Sequence, residues 1–263
     1  VGQRGAPVQQ GQQFAVDLVD AGAQFSEAWK TFTDVTPPAI LPHVAGPLGS
    51  GSKGVWLFRP AGKPKRMVIF FHGQGGPTET TPANHRDWID HLVSRGAVVV
   101  YPRYELDYSS AVIGATTAGV RTATQRLRHQ SLPVLALGYS RGAALAVEYA
   151  AVAAGQHLPV PDAIESVNPV PYGEQARIID LRPIRPSTIL AVLVSEKDPH
   201  ASDGAGLLLN RLREAGFPGG QIRLNVARSR GTFVADHLAP LSSSPAARAA
   251  YWAPTDDLLA GLR

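Results

Sequence analysis

Cysteine is absent from the 263-residue chain, which excludes disulfides, cysteine metal sites and a thiolate nucleophile together. The absence does not fix the compartment, because a domain of this size holds together without cross-links. No stretch reaches the ~18 uninterrupted apolar residues that a membrane span needs. Charge is sparse, at 17% Asp, Glu, Lys and Arg for a net +4. The basic residues, Arg far more often than Lys, are scattered and form no run of about five or more, so no nucleic-acid partner is indicated. Neither GK[ST] nor G-x-G-x-x-G occurs in the glycine loop at 70–76, which argues against a phosphate cradle there. What remains is a 44% hydrophobic, globular chain, long enough for one large domain or two small ones.

The chain opens at Val1, not Met, with the polar stretch VGQRGAPVQQGQQ. That opening reads as a processed or trimmed N-terminus, and a secreted or extracytoplasmic protein is the expectation, with a cytoplasmic one as the alternative. Residues 1–13 are expected to be disordered, 14–32 to form a short helix, and the proline- and glycine-rich 33–53 to be extended, giving an N-terminal arm over 1–53. From residue 54 to 263 strands and helices alternate. Strands are predicted at 54–60, 66–73, 97–104, 133–140, 163–170, 187–198 and 221–227. Helices are predicted at 83–95, 110–129, 141–154, 204–216 and across most of the last thirty residues. Strands apolar along their whole length are buried on both faces, and their alternation with helices predicts an α/β fold with a mostly parallel, doubly wound sheet. Only about 17 residues separate the strands at 163–170 and 187–198, too few for a large cap domain.

Within this frame the segment LALGYSRGAALA, residues 135–146, stands out. An apolar strand runs into Gly-Tyr-Ser-Arg-Gly and then directly into an alanine-rich helix. Ligands of open parallel sheets bind beyond the carboxyl ends of the strands. Gly138 and Gly142 would permit a turn sharp enough to lift the Ser140 hydroxyl clear of the sheet, beside the amides of the next helix. A serine hydroxyl is a weak nucleophile at neutral pH and needs a base, and the base needs a third group to orient it.

On this architecture the order is Ser, then Asp or Glu, then His, each after a later strand. Asp198 in ILAVLVSEKDPHA lies just past a strand, and His237 in NVARSRGTFVADHLAP lies in the loop after the last one. Glu196 sits too near its strand, and Asp203 is expected to cap the next helix. His85, His91 and His129 fall on predicted helix faces and read as surface residues. His43 is in the arm, His157 follows a helix end, and His200 is too close in sequence to Asp198 to bridge from it to Ser140. Asp236 is expected to point away. The oxyanion that forms on a substrate carbonyl needs fixed N–H donors. The amide of Arg141 is one candidate and that of Gln74, in FFHGQGG, the other.

Taken together, HGQGG, GYSRG, SEKDPH and ADHLAP resemble the α/β-hydrolase superfamily, over roughly residues 37–263. The segment WIDHLVSRGAVVVYPRYE further resembles a bacterial, often exported, esterase/lipase-like branch related to dienelactone hydrolases. The resemblance implies Ser140 as nucleophile, Asp198 as acid, His237 as base, and Gln74 and Arg141 as oxyanion donors. Arg141 departs from the small, aliphatic, Met or Gln residue common at its position, and its side chain could reach an acidic or polar acyl group.

The function expected is a serine hydrolase for a small-molecule or polymeric ester, with an amidase or peptidase, or a non-catalytic binding protein on the same fold, as alternatives. Tyr104, Tyr139 and Trp252 are candidate substrate contacts. Glu196, Asp198, His200 and Asp203 could in principle hold Ca²⁺, but Asp198 is better used in a triad, and neither metal nor organic cofactor is expected.

Overall fold

Strands that are apolar on both faces need a layer of helices on each side, and alternating residues must serve different layers. In the computed structural model, which describes residues 44–74, 81–104, 111–127, 131–170 and 179–262, they do so. Eight strands form one sheet: β1 (Val44–Leu48), β2 (Val55–Phe58), β3 (Arg66–Phe71), β4 (Ala97–Pro102), β5 (Val134–Tyr139), β6 (Ala163–Val167), β7 (Ile189–Ser195) and β8 (Ile222–Ala227). Their spatial order is β1-β2-β4-β3-β5-β6-β7-β8. β2 pairs antiparallel with both β1 and β4, and every other pairing is parallel.

Along β3, Met67, Ile69 and Phe71 face one core, while Val68 and Phe70 face the other. The first core is closed by α2 (Ala111–Arg126), α3 (Arg141–Ala153) and α4 (Pro199–Glu214), through residues such as Val120, Leu145, Leu208 and Leu212. The second is closed by α1 (Arg86–Ser94) and by a C-terminal helical run, through Trp88, Leu92, Tyr251 and Leu258. That run consists of Pro245–Ala247, a π-helical stretch Arg248–Trp252 and α5 (Ala253–Gly261). Pro254 has no N–H to donate and its ring would press on the turn before it, which the wide π turn relieves.

Three expectations change. Residues 44–48, assigned to the arm, form an edge strand paired with β2. The helix expected at 204–216 begins at Pro199. Its N-cap is Asp198, whose side chain accepts the Ala201 N–H at 3.1 Å, so Asp203 does not cap it. Gly216, with φ +76°, lies just past its end. Residues 1–43 lie outside the described residues. Among the described residues no helix is long and apolar enough to cross a membrane.

Candidate active site

The turn from β5 to α3 brings backbone hard against backbone. Ser140 sits at φ 57° and ψ −121°, a conformation side chains other than glycine rarely adopt. A Cβ on Gly138 would overlap the Gly142 carbonyl, and one on Gly142 would overlap the carbonyls of Phe71 and His72. Both positions therefore require glycine for space. A Cβ on Gly73 would come within 3.1 Å of the Ser140 Cβ, so the loop after β3 also passes close to the serine. The Ser140 N–H donates to the Val167 carbonyl at 2.9 Å, pinning the corner to the end of β6.

His237 stands in the loop after β8, with Nε2 2.9 Å from the Ser140 Oγ. Its Nδ1 is hydrogen-bonded to the Asp198 carboxylate. The two Asp198 oxygens thus have separate partners, His237 for one and the α4 N-cap for the other. The Asp198 side chain is buried, whereas that of His237 is 11% exposed and so reaches the site's surface. Asp236 points away as expected, accepting the N–H groups of Leu238 and Ala239. The geometry can pass a proton from serine to imidazole while the carboxylate steadies the charge that results.

Gln74 and Arg141 lie on either side of this corner. The Arg141 guanidinium donates to the Gln74 Oε1 at 3.2 Å, joining the β3 loop to the start of α3. Arg141 is buried, and its charge acts on Glu148, two turns further along α3. Burial pushes Glu148 up to about 6, against the charges of Arg211 and Arg141, and Arg211 of α4 pairs with it at 3.3 Å. Gly75 and Gly76 of the same glycine loop lie outside the described residues.

The three aromatic residues expected to contact substrate are core residues instead. Tyr104 is fully buried, stacks on His72 at 4.0 Å and donates its hydroxyl to the His72 carbonyl. Trp252 packs against Trp88 of α1, under the guanidinium of Arg248. Tyr139 is buried too, but it serves the site from behind, donating its hydroxyl to the His237 carbonyl at 2.8 Å. Large flat side chains suit a pocket wall and a core equally by composition, and here the packing of helices on the sheet claims them as core. His85 is likewise no surface residue; it is buried among Phe70, Tyr101 and Tyr139. His91 meets Asp256 at 3.0 Å, and His43 and His129 lie outside the described residues. Glu196 turns to the Ser229 N–H, and among the described residues no three metal-ligating side chains gather.

Sequence reasoning missed Asn168, which follows β6, its partner Ser195, and Tyr251, whose hydroxyl meets that of Ser195. The available signal was the Asn-Pro pair at 168–169, a turn marker at the carboxyl end of a buried parallel strand.

No protein-family model matches the chain, and no curated protein matches it in sequence. Solved structures do. Esterase B from Lactobacillus rhamnosis aligns with a TM-score of 0.65 at 16% identity, over 96% of each chain. A thermostable esterase from Pseudomonas putida aligns at 0.62 and 20% identity, over 99% of each. Carboxyl esterase 2 from the fungus Tuber melanosporum aligns at 0.61 and 17%, over 88% of this chain and 89% of its own. Likeness at this level of identity is likeness of fold.

Proposed function

We propose that this chain, an α/β-hydrolase by fold, is a serine hydrolase that cleaves carboxylic esters through an acyl-enzyme on Ser140. The observation that carries the reading is the continuous path from Ser140 Oγ to His237 Nε2 and from His237 Nδ1 to Asp198, with the serine held at a positive φ. The esterases that share the fold support the choice of an ester substrate.

His237 Nε2 takes the hydroxyl proton as Ser140 Oγ attacks the ester carbonyl carbon. The negative charge passes to the former carbonyl oxygen, where the amides of Arg141 and Gln74 receive it. Each such donor is worth roughly 3 kcal/mol in a dry site. The imidazolium, steadied by Asp198, then protonates the departing alcohol oxygen as the ester C–O bond breaks. Water, deprotonated by His237, attacks the acyl-enzyme, and the serine regains its proton as the carboxylic acid leaves. All of these groups belong to the protein.

The test is hydrolysis of p-nitrophenyl esters from acetate to palmitate by wild type and Ser140→Ala, with fluorophosphonate labelling alongside. A loss of at least ~10⁴-fold together with loss of labelling is expected. Equal activity in both proteins would remove Ser140 from the mechanism. Labelling without ester turnover would move the substrate to an amide, and neither labelling nor turnover would leave a binding protein.

A further inference from the structure

Three side chains on three different loops must meet to within a fraction of an ångström, yet Ser140, Asp198 and His237 are far apart in sequence. The sheet order puts β6 between β5, which leads to Ser140, and β7, which leads to Asp198. Its carboxyl end is therefore where all three loops can be reached, and the two residues there make contact with each of them. The Val167 carbonyl accepts the Ser140 N–H at 2.9 Å. The Asn168 Oδ1 accepts the Ser195 N–H at 2.8 Å, and its Nδ2 donates to the Ser195 Oγ at 2.8 Å. Ser195 is tied onward, since its carbonyl accepts the Asp198 N–H at 3.1 Å. The same Nδ2 faces the carbonyls of His237 at 3.3 Å and Asp236 at 3.4 Å.

The amide's orientation follows from its neighbours. Ser195 presents an N–H, so the oxygen must accept it, and the nitrogen's two protons serve the Ser195 Oγ and the carbonyls of the His237 loop. Asn168 is fully buried and has φ 46°, a left-handed conformation that asparagine tolerates better than most residues. Glycine would accept the backbone but lacks the amide. Aspartate would turn a second acceptor against two carbonyls.

We propose that Asn168 is a positioning residue that sets the His237 imidazole relative to Ser140 and Asp198. The proposal rests on the hydrolase reading above. Asn168 touches no reacting atom and acts through the backbone of the His237 loop, where Tyr139 supplies a second hydrogen bond. A displacement of about 1 Å at a reacting pair costs on the order of 10²-fold in rate.

The experiment compares Asn168→Gly, which keeps the left-handed backbone, and Asn168→Asp, which keeps the size and the Ser195 N–H acceptor. Kinetics on a p-nitrophenyl ester are measured together with the imidazole ¹⁵N shifts of His237, which need no turnover. In both variants kcat should fall roughly 10- to 100-fold while KM stays within about twofold, and the His237 shifts should move. Wild-type kcat and unmoved His237 shifts, even with a lower Tm, would make Asn168 merely structural and overturn the proposal. Ser140→Ala run in parallel keeps the two claims apart. If that variant stays active, the hydrolase reading fails, and the ¹⁵N shifts alone decide whether Asn168 places His237.

Discussion

Glu165 offers a test of the packing that does not pass through the chemistry. It lies mid-strand in β6, opposite Leu137 and Ala191, and none of it is exposed. Burial pushes its pKa from 4.5 up to about 8, with the Thr255 hydroxyl acting against the rise and the Asp256 charge acting with it. At neutral pH the folded protein therefore holds a proton that the unfolded chain releases. The stability this carboxyl contributes is complete below pH 4.5 and is lost as pH rises through 8. Each pH unit between those limits is worth about 1.4 kcal/mol. Glu165→Gln keeps the shape and removes the titration. The difference in unfolding free energy between variant and wild type should grow in the variant's favour by about 2–3 kcal/mol from pH 5 to pH 7. Urea denaturation at several pH values measures it, and taking the difference cancels every other titrating group the two proteins share. Parallel curves would refute the reasoning, because they would mean that Glu165 is ionised in the folded state or is not buried there. Fluorophosphonate labelling of Ser140 should be the same in both proteins.

Two further expectations concern the site itself. Ser140→Gly should be inactive yet more stable than wild type by about 1–3 kcal/mol, since glycine adopts φ 57° without strain; a lower thermal midpoint would contradict this. Asp198→Ala should lose activity and also about 1 kcal/mol of stability, because it removes the α4 cap. His237→Ala leaves that cap in place and serves as the control in the same thermal melts.

The parts of this protein that were legible in sequence are those decided by local pattern. The β5–α3 corner could be read because apolar strand, Gly-Tyr-Ser-Arg-Gly and small-residue helix follow one another without a gap. Asp198 and His237 could be singled out as candidates because each follows a run that reads as a strand. The start of α4 could not, since its first turn, Pro-His-Ala-Ser-Asp, is polar and the apolar spacing begins only at residue 204. Nor could the burial of Tyr104, Tyr139 and Trp252, because it depends on which helix crosses which strand. Asn168 was hidden for the same reason. Its four side-chain hydrogen bonds reach residues 27 to 69 positions away, which no window along the chain brings into view.

The order of the strands also bears on how the protein comes into being during synthesis. From β5 to β8 the spatial order follows the chain order, so each new strand docks on the outer edge of the one before it. The half of the sheet that precedes it does not share this property, because β3 and β4 exchange places. A nascent chain leaving the ribosome can thus settle the serine corner first, the acid next and the base last. On the proposed mechanism, Ser140 lacks its base until β8 docks and brings the His237 loop with it, so hydrolysis is expected only once the last strand is in place.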